Sequence, residues 1–82
     1  MNLYLISQDE NNDWDTYDSA VVCAPDEETA RNIVPGCVDG NHDWADRYSS
    51  WCSGPDKVKV EPIGYAADGI PIGVVCASFN AG

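Results

Sequence analysis

Lys57-Val58-Lys59-Val60-Glu61 alternates charge with valine, and a stretch of period two matches a strand with one wet face and one buried face. An isolated strand leaves its main-chain groups unpaired, so the remaining apolar runs must supply a sheet. Three runs qualify. Leu3-Tyr4-Leu5-Ile6-Ser7-Gln8 is short and rich in strand formers, Ser19 to Ala24 restores the same character, and Gly73 to Phe79 closes the series. The first two pair most simply as an antiparallel hairpin across a long acidic connection, Asp9 to Asp18. Turn chemistry at Ala66-Ala67-Asp68-Gly69 joins the last two as a second hairpin.

Between the hairpins the pattern changes to helix. Pro25-Asp26-Glu27-Glu28 is a helix start, with Asp26 as N-cap and carboxylates in the first turn where the helix dipole favours them. Ala30, Ile33 and Val34 form one apolar stripe, and Pro35-Gly36 ends the helix after Val34. Residues 36–42 read as a loop. Asp43 is placed to cap a second helix to about Trp51, on which Trp44, Tyr48 and Trp51 share a face and Asp43 meets Arg47. Ser53-Gly54-Pro55-Asp56 breaks the chain again. The expected architecture is therefore α+β: an antiparallel sheet of about four strands, arranged as two hairpins, with one or two short helices between the hairpins and packed on one face. With 82 residues, one domain over residues 1–82 is the expectation.

Fourteen Asp and Glu against four Lys and Arg give a formal charge of −10. Direct binding to nucleic acid or to an anionic membrane surface is disfavoured, because charge repulsion replaces counterion release. A basic protein surface is the partner this balance fits. Hydrophobic residues make up 44% of the chain and include three Trp and four Tyr, enough for a packed core despite the charge. No window approaches the ~18 apolar residues of a membrane span. The start, Met1 to Ser7, lacks the basic and long apolar regions of a secretion signal, so the cytosol is the expected compartment and Cys23, Cys37, Cys52 and Cys76 are expected as reduced thiols.

Candidate chemistry is sparse. Asp9-x-Asn11-x-Asp13-x-Asp15 resembles the opening of a calcium loop, but Trp14 stands where the sharp-turn glycine belongs and Ala20 where a bidentate glutamate belongs. A solvated acidic loop is the preferred reading. Cys37, His42 and Cys52 could join in a zinc site, yet no close cysteine pair accompanies them, and Cys23 and Cys76 lie in apolar strand patterns. No cofactor is expected. His42 is the sole histidine, and neither Cys37 nor Cys52 sits in an activating motif, so a Cys–His enzyme is the least supported class. No Gly-rich phosphate cradle occurs. Trp44, Tyr48 and Trp51 are read as core anchors. Trp14 and Tyr17 lie among Asp13, Asp15 and Asp18, where rings either fold back over the sheet edge or, with the carboxylates, form a contact point for a basic partner.

The ends of the chain, Leu3 to Gln8 with Asp15 to Val22, and Val75-Cys76-Ala77-Ser78-Phe79-Asn80-Ala81-Gly82, resemble small acidic proteins encoded by bacteriophages and prophages and left without an assigned function. The resemblance implies a phage context and a host-cell cytosolic setting, and it transfers no catalytic or binding residue. By size and charge it extends to inhibitors of host defence, including anti-CRISPR proteins that act as DNA mimics, which is an analogy at the level of the whole molecule. The expected role is a non-enzymatic acidic interaction protein that blocks nucleic-acid access to a host defence complex, with Asp9, Glu10, Asp13, Trp14, Asp15, Tyr17 and Asp18 as partner-binding residues. A zinc-stabilised domain and a minor structural or assembly component of a phage particle are the rival expectations.

Overall fold

A computed structural model describes residues 1–10, 16–35, 51, 52 and 54–80 of the chain. Its centre is the expected first hairpin. Strand β1 (Asn2–Ser7) pairs antiparallel with β2 (Thr16–Ala24), in register from Asn2 opposite Ala24 to Ser7 opposite Ser19. Alternation sets the dry face: Tyr4 and Ile6 of β1 lie opposite Val22 and Ala20 of β2, and all four are buried. Strand β2 begins three residues earlier than Ser19, so Thr16, Tyr17 and Asp18 belong to the ladder and not to the acidic connection. Pairing explains the shift, since the main chain there bonds to a neighbouring strand whatever the side-chain polarity.

Helix α1 (Glu27–Arg31) starts where the capping pattern places it, with the Asp26 carboxylate accepting a 2.8 Å hydrogen bond from the Thr29 amide. It is shorter than the apolar stripe suggests. The Asn32 and Ile33 amides bond to the Thr29 and Ala30 carbonyls in tight terminal turns, and Ile33 and Val34 are buried beyond the helix end. Ala30, Ile33, Val34, Trp51, Cys52 and Val58 complete one core with the hairpin's dry face. Trp51 is fully buried, as its reading as an anchor requires. Trp44, Tyr48 and the expected second helix lie outside the described residues.

A single 3-10 turn at Pro55–Lys57 precedes strand β3 (Lys59–Tyr65), and strand β4 (Gly73–Asn80) follows. Strand β3 starts later and runs further than the alternation at residues 57–61 implies. Pro55 opens the turn, and bonds from the Lys57 and Val58 amides to the Gly54 and Pro55 carbonyls hold the chain out of the sheet until Lys59.

The second hairpin does not form. The strand order is β3-β1-β2-β4, so β3 and β4 occupy opposite edges, each antiparallel to one strand of the central hairpin. The connection between them crosses the end of the sheet. The Ala66 amide bonds to the Met1 carbonyl at 2.9 Å, and the Cys23 thiol donates to the Ile70 carbonyl at 3.7 Å, which ties the crossing segment first to β1 and then to β2. Ala67 to Ile70 is still a turn, as its composition suggests: the Ile70 amide reaches the Ala67 carbonyl and Gly69 takes φ +91°, a conformation costly to other residues. That turn redirects the crossing chain. Both expected pairings are antiparallel in either arrangement, so local pattern does not distinguish a terminal hairpin from flanking strands.

The architecture is a four-stranded antiparallel sheet with one small helix and a 3-10 turn among the described residues. Among those residues no helix is long and apolar enough to cross a membrane.

Candidate acidic interaction surface

Asp9 and Glu10 leave β1 just beyond its last ladder position, and the Gln8 amide bonds to the Asp18 carbonyl at 3.2 Å. The Gln8 side chain also donates to the Tyr17 carbonyl at 2.9 Å. Buried Gln8 therefore clamps the start of the acidic connection against its end.

A bulge aims one carboxylate outward. Tyr17 lies opposite Phe79 and Ser19 opposite Ser78, which leaves Asp18 as the extra residue of β2. Without it, strict alternation would set Asp18 on the dry face, between buried Thr16 and buried Ala20. With it, Asp18 is exposed beside Asp9 and Glu10, which are exposed too. Lys59 Nζ approaches Asp9 Oδ2 at 3.4 Å, but both side chains are largely in water, and such a pair neutralises little.

Asp56 lies three residues before Lys59, which pairs with Ser7 at this end of β1. Burial pushes the Cys52 thiol above its ordinary pKa, and the negative charges of Glu10 and Asp56 push it further in the same direction. The Cys52 thiol donates to the Gly54 carbonyl at 3.4 Å, which suits a protonated, structural cysteine.

Of the seven residues singled out by composition, Asp9, Glu10 and Asp18 are gathered at the hairpin end and open to solvent. Tyr17 is half-buried and packs against the core, so its ring supports the end from within. Asp13, Trp14 and Asp15 lie outside the described residues, as do Asn11, Cys37 and His42 of the metal motifs considered above.

A second acidic group, Asp26, Glu27 and Glu28, opens α1 after the opposite end of β2. Bonds from Thr29 hold the Asp26 carboxyl below its ordinary pKa. Glu61 on β3 and Asp68 in the crossing segment stand apart, and all nine described carboxylates are exposed. Negative charge thus covers two ends of the molecule, of which the hairpin end carries the bulge-directed carboxylate.

A shallow cleft of about 220 Å³ between Asn2, Pro62, Gly64 and Tyr65 lies at the Asn2 end of the sheet and is lined by no ionisable side chain except the Tyr65 phenol. It is smaller than the ~300 Å³ at which small-molecule sites begin. The chain matches no family model, no curated protein and no solved structure.

Proposed function

We propose that this chain is a non-enzymatic acidic interaction protein whose hairpin end binds a basic protein surface. The outward bulge at Asp18, which sets a third carboxylate beside Asp9 and Glu10, is the observation that supports it. A bulge costs ladder pairing, and here the return is an acidic side chain turned from the core side to water. Clustered carboxylates of this kind raise the encounter rate with Lys- and Arg-lined grooves and accept their charge-assisted hydrogen bonds. Asp13, Trp14 and Asp15 belong to the same connection in the sequence. The resemblance to small phage and prophage proteins supplies the setting: a host nucleic-acid-binding defence complex is the partner, and occupying its basic channel excludes the nucleic acid.

The test is capture of host proteins on immobilised wild-type chain and on the triple variant Asp9→Asn, Glu10→Gln, Asp18→Asn, each at low and high salt. The wild-type chain is expected to retain a nucleic-acid-binding protein that high salt releases, and the variant to bind it at least about tenfold more weakly. Equal retention by the two chains, or retention indifferent to salt, would refute the placement of the surface.

A further inference from the structure

Strand β4 is exposed over most of its described length. Val74, Val75, Cys76, Ala77 and Ser78 are all exposed, with Val74 at 42%, Val75 at 50% and the preceding Ile72 at 55%. Among the described residues it is an edge strand, paired with β2 on one side and with no strand on the other. It also lacks two of the usual protections, charged side chains and proline, although Val75 forms a bulge. From Gly69 to Gly82 the chain has no charged side chain, although the whole carries −10, and no proline falls within Gly73–Asn80. The opposite edge is guarded, since β3 carries Lys59, Glu61 and Pro62.

We propose that β4 pairs with β4 of a second copy of this chain, joining two four-stranded sheets into one eight-stranded antiparallel sheet. Three observations single out a second copy. A body of charge −10 repels its own kind wherever carboxylates meet within a Debye length of about 8 Å, and a neutral edge is where two copies approach with least opposition. Of the two described edges only β4 carries neither charge nor proline, so the contact closes as a dimer; two such edges would propagate a filament. The edge carries no charge with which to select a basic partner, so recognition rests on main-chain bonds and small apolar side chains, which the same strand offers in return.

Geometry makes the contact specific. Self-pairing about a two-fold axis perpendicular to the sheet is antiparallel and sets one residue opposite its own copy. On a strand spanning Gly73–Asn80 the longest overlaps put Cys76 or Ala77 on that axis. Directly opposite residues have Cα atoms about 4.5–5.5 Å apart, within disulfide reach. In either register the acidic hairpin ends point in opposite directions.

Sedimentation of the full chain over a concentration series is expected to show the weight-average mass doubling. The double variant Val75→Glu, Ser78→Glu should raise the dissociation constant at least about tenfold, whereas Ile63→Glu on the β3 edge should not change it. A chain monomeric up to about 1 mM overturns the proposal, as does dissociation by Ile63→Glu alone. Amide shifts measured over the same series guard against misfolded variants: changes centred on residues 73–80 are expected, and changes centred on residues 59–65 are contrary. Diamide oxidation is expected to link wild-type copies in a manner abolished by Cys76→Ser, or to link Cys76→Ser, Ala77→Cys copies more than Cys76→Ser alone. A dimer showing neither pattern excludes the β4–β4 pairing.

Discussion

Asp26 shows how much one side chain contributes when it sits at a helix start. Its carboxylate accepts from the Thr29 amide, one of the donors that a helix leaves without an internal partner, and this bond holds its pKa below 3.8 in the folded chain. The folded value lies below the unfolded one, so the contribution is complete above the unfolded pKa and disappears as pH falls through the folded value. Urea titrations at a series of pH values are expected to show wild type losing stability below about pH 3.8 more steeply than Asp26→Asn, whose amide oxygen still accepts but does not titrate. Asp26→Ala should unfold at lower urea throughout. Identical pH profiles for wild type and Asp26→Asn would show that the cap does not work through its charge. Cys52 belongs to the same scale with the opposite shift, its thiol kept protonated by burial.

The polar ties between described elements differ greatly in weight. Half-buried Arg31, at the end of α1, donates to the Pro55 and Val58 carbonyls and so fastens the helix to the turn that launches β3. The Lys59–Asp9 pair spans a longer separation in sequence but lies at 73% and 80% side-chain exposure. Hydrogen bonds from a charged donor to partly buried carbonyls contribute about 1.5–3 kcal/mol, whereas exposed ion pairs contribute about 0.2–1 kcal/mol. Equilibrium unfolding should therefore find Arg31→Met destabilising by about 2 kcal/mol and Lys59→Gln nearly neutral. A larger loss from Lys59→Gln than from Arg31→Met would reverse this ranking. Bulges act at the same scale: Ile63 and Val75 are extra residues on the two edge strands and Asp18 on β2, and at Asp18 the extra residue decides which side of the sheet a carboxylate occupies.

At the scale of the whole molecule, the charge of −10 is a standing cost, because every described carboxylate is exposed and repels its neighbours across a small body. Salt screens that repulsion, with a Debye length that falls from about 30 Å at 0.01 M to about 8 Å at 0.15 M. The thermal midpoint is expected to rise over this range at neutral pH, and calorimetry checks it. A midpoint that falls would mean that attractive pairs outweigh repulsion in the folded state. The same charge underlies both proposals, a second copy at the neutral β4 edge and a basic partner at the hairpin end.

The sequence by itself determined what depends on neighbours along the chain: the central hairpin from its apolar runs, the start of α1 from Asp26 and the carboxylates after it, the turn at Gly69, and the burial of Trp51. Each is a local preference of main chain or side chain that tertiary contacts reinforce. Tertiary structure alone decided that β3 and β4 flank the hairpin and do not pair, that Tyr17 packs inward, and that the Asp18 bulge sets its carboxylate outward at the end that holds Asp9 and Glu10. Those outcomes turn on register and on which edges are free, and period-two alternation reads the same for every antiparallel neighbour a strand can have.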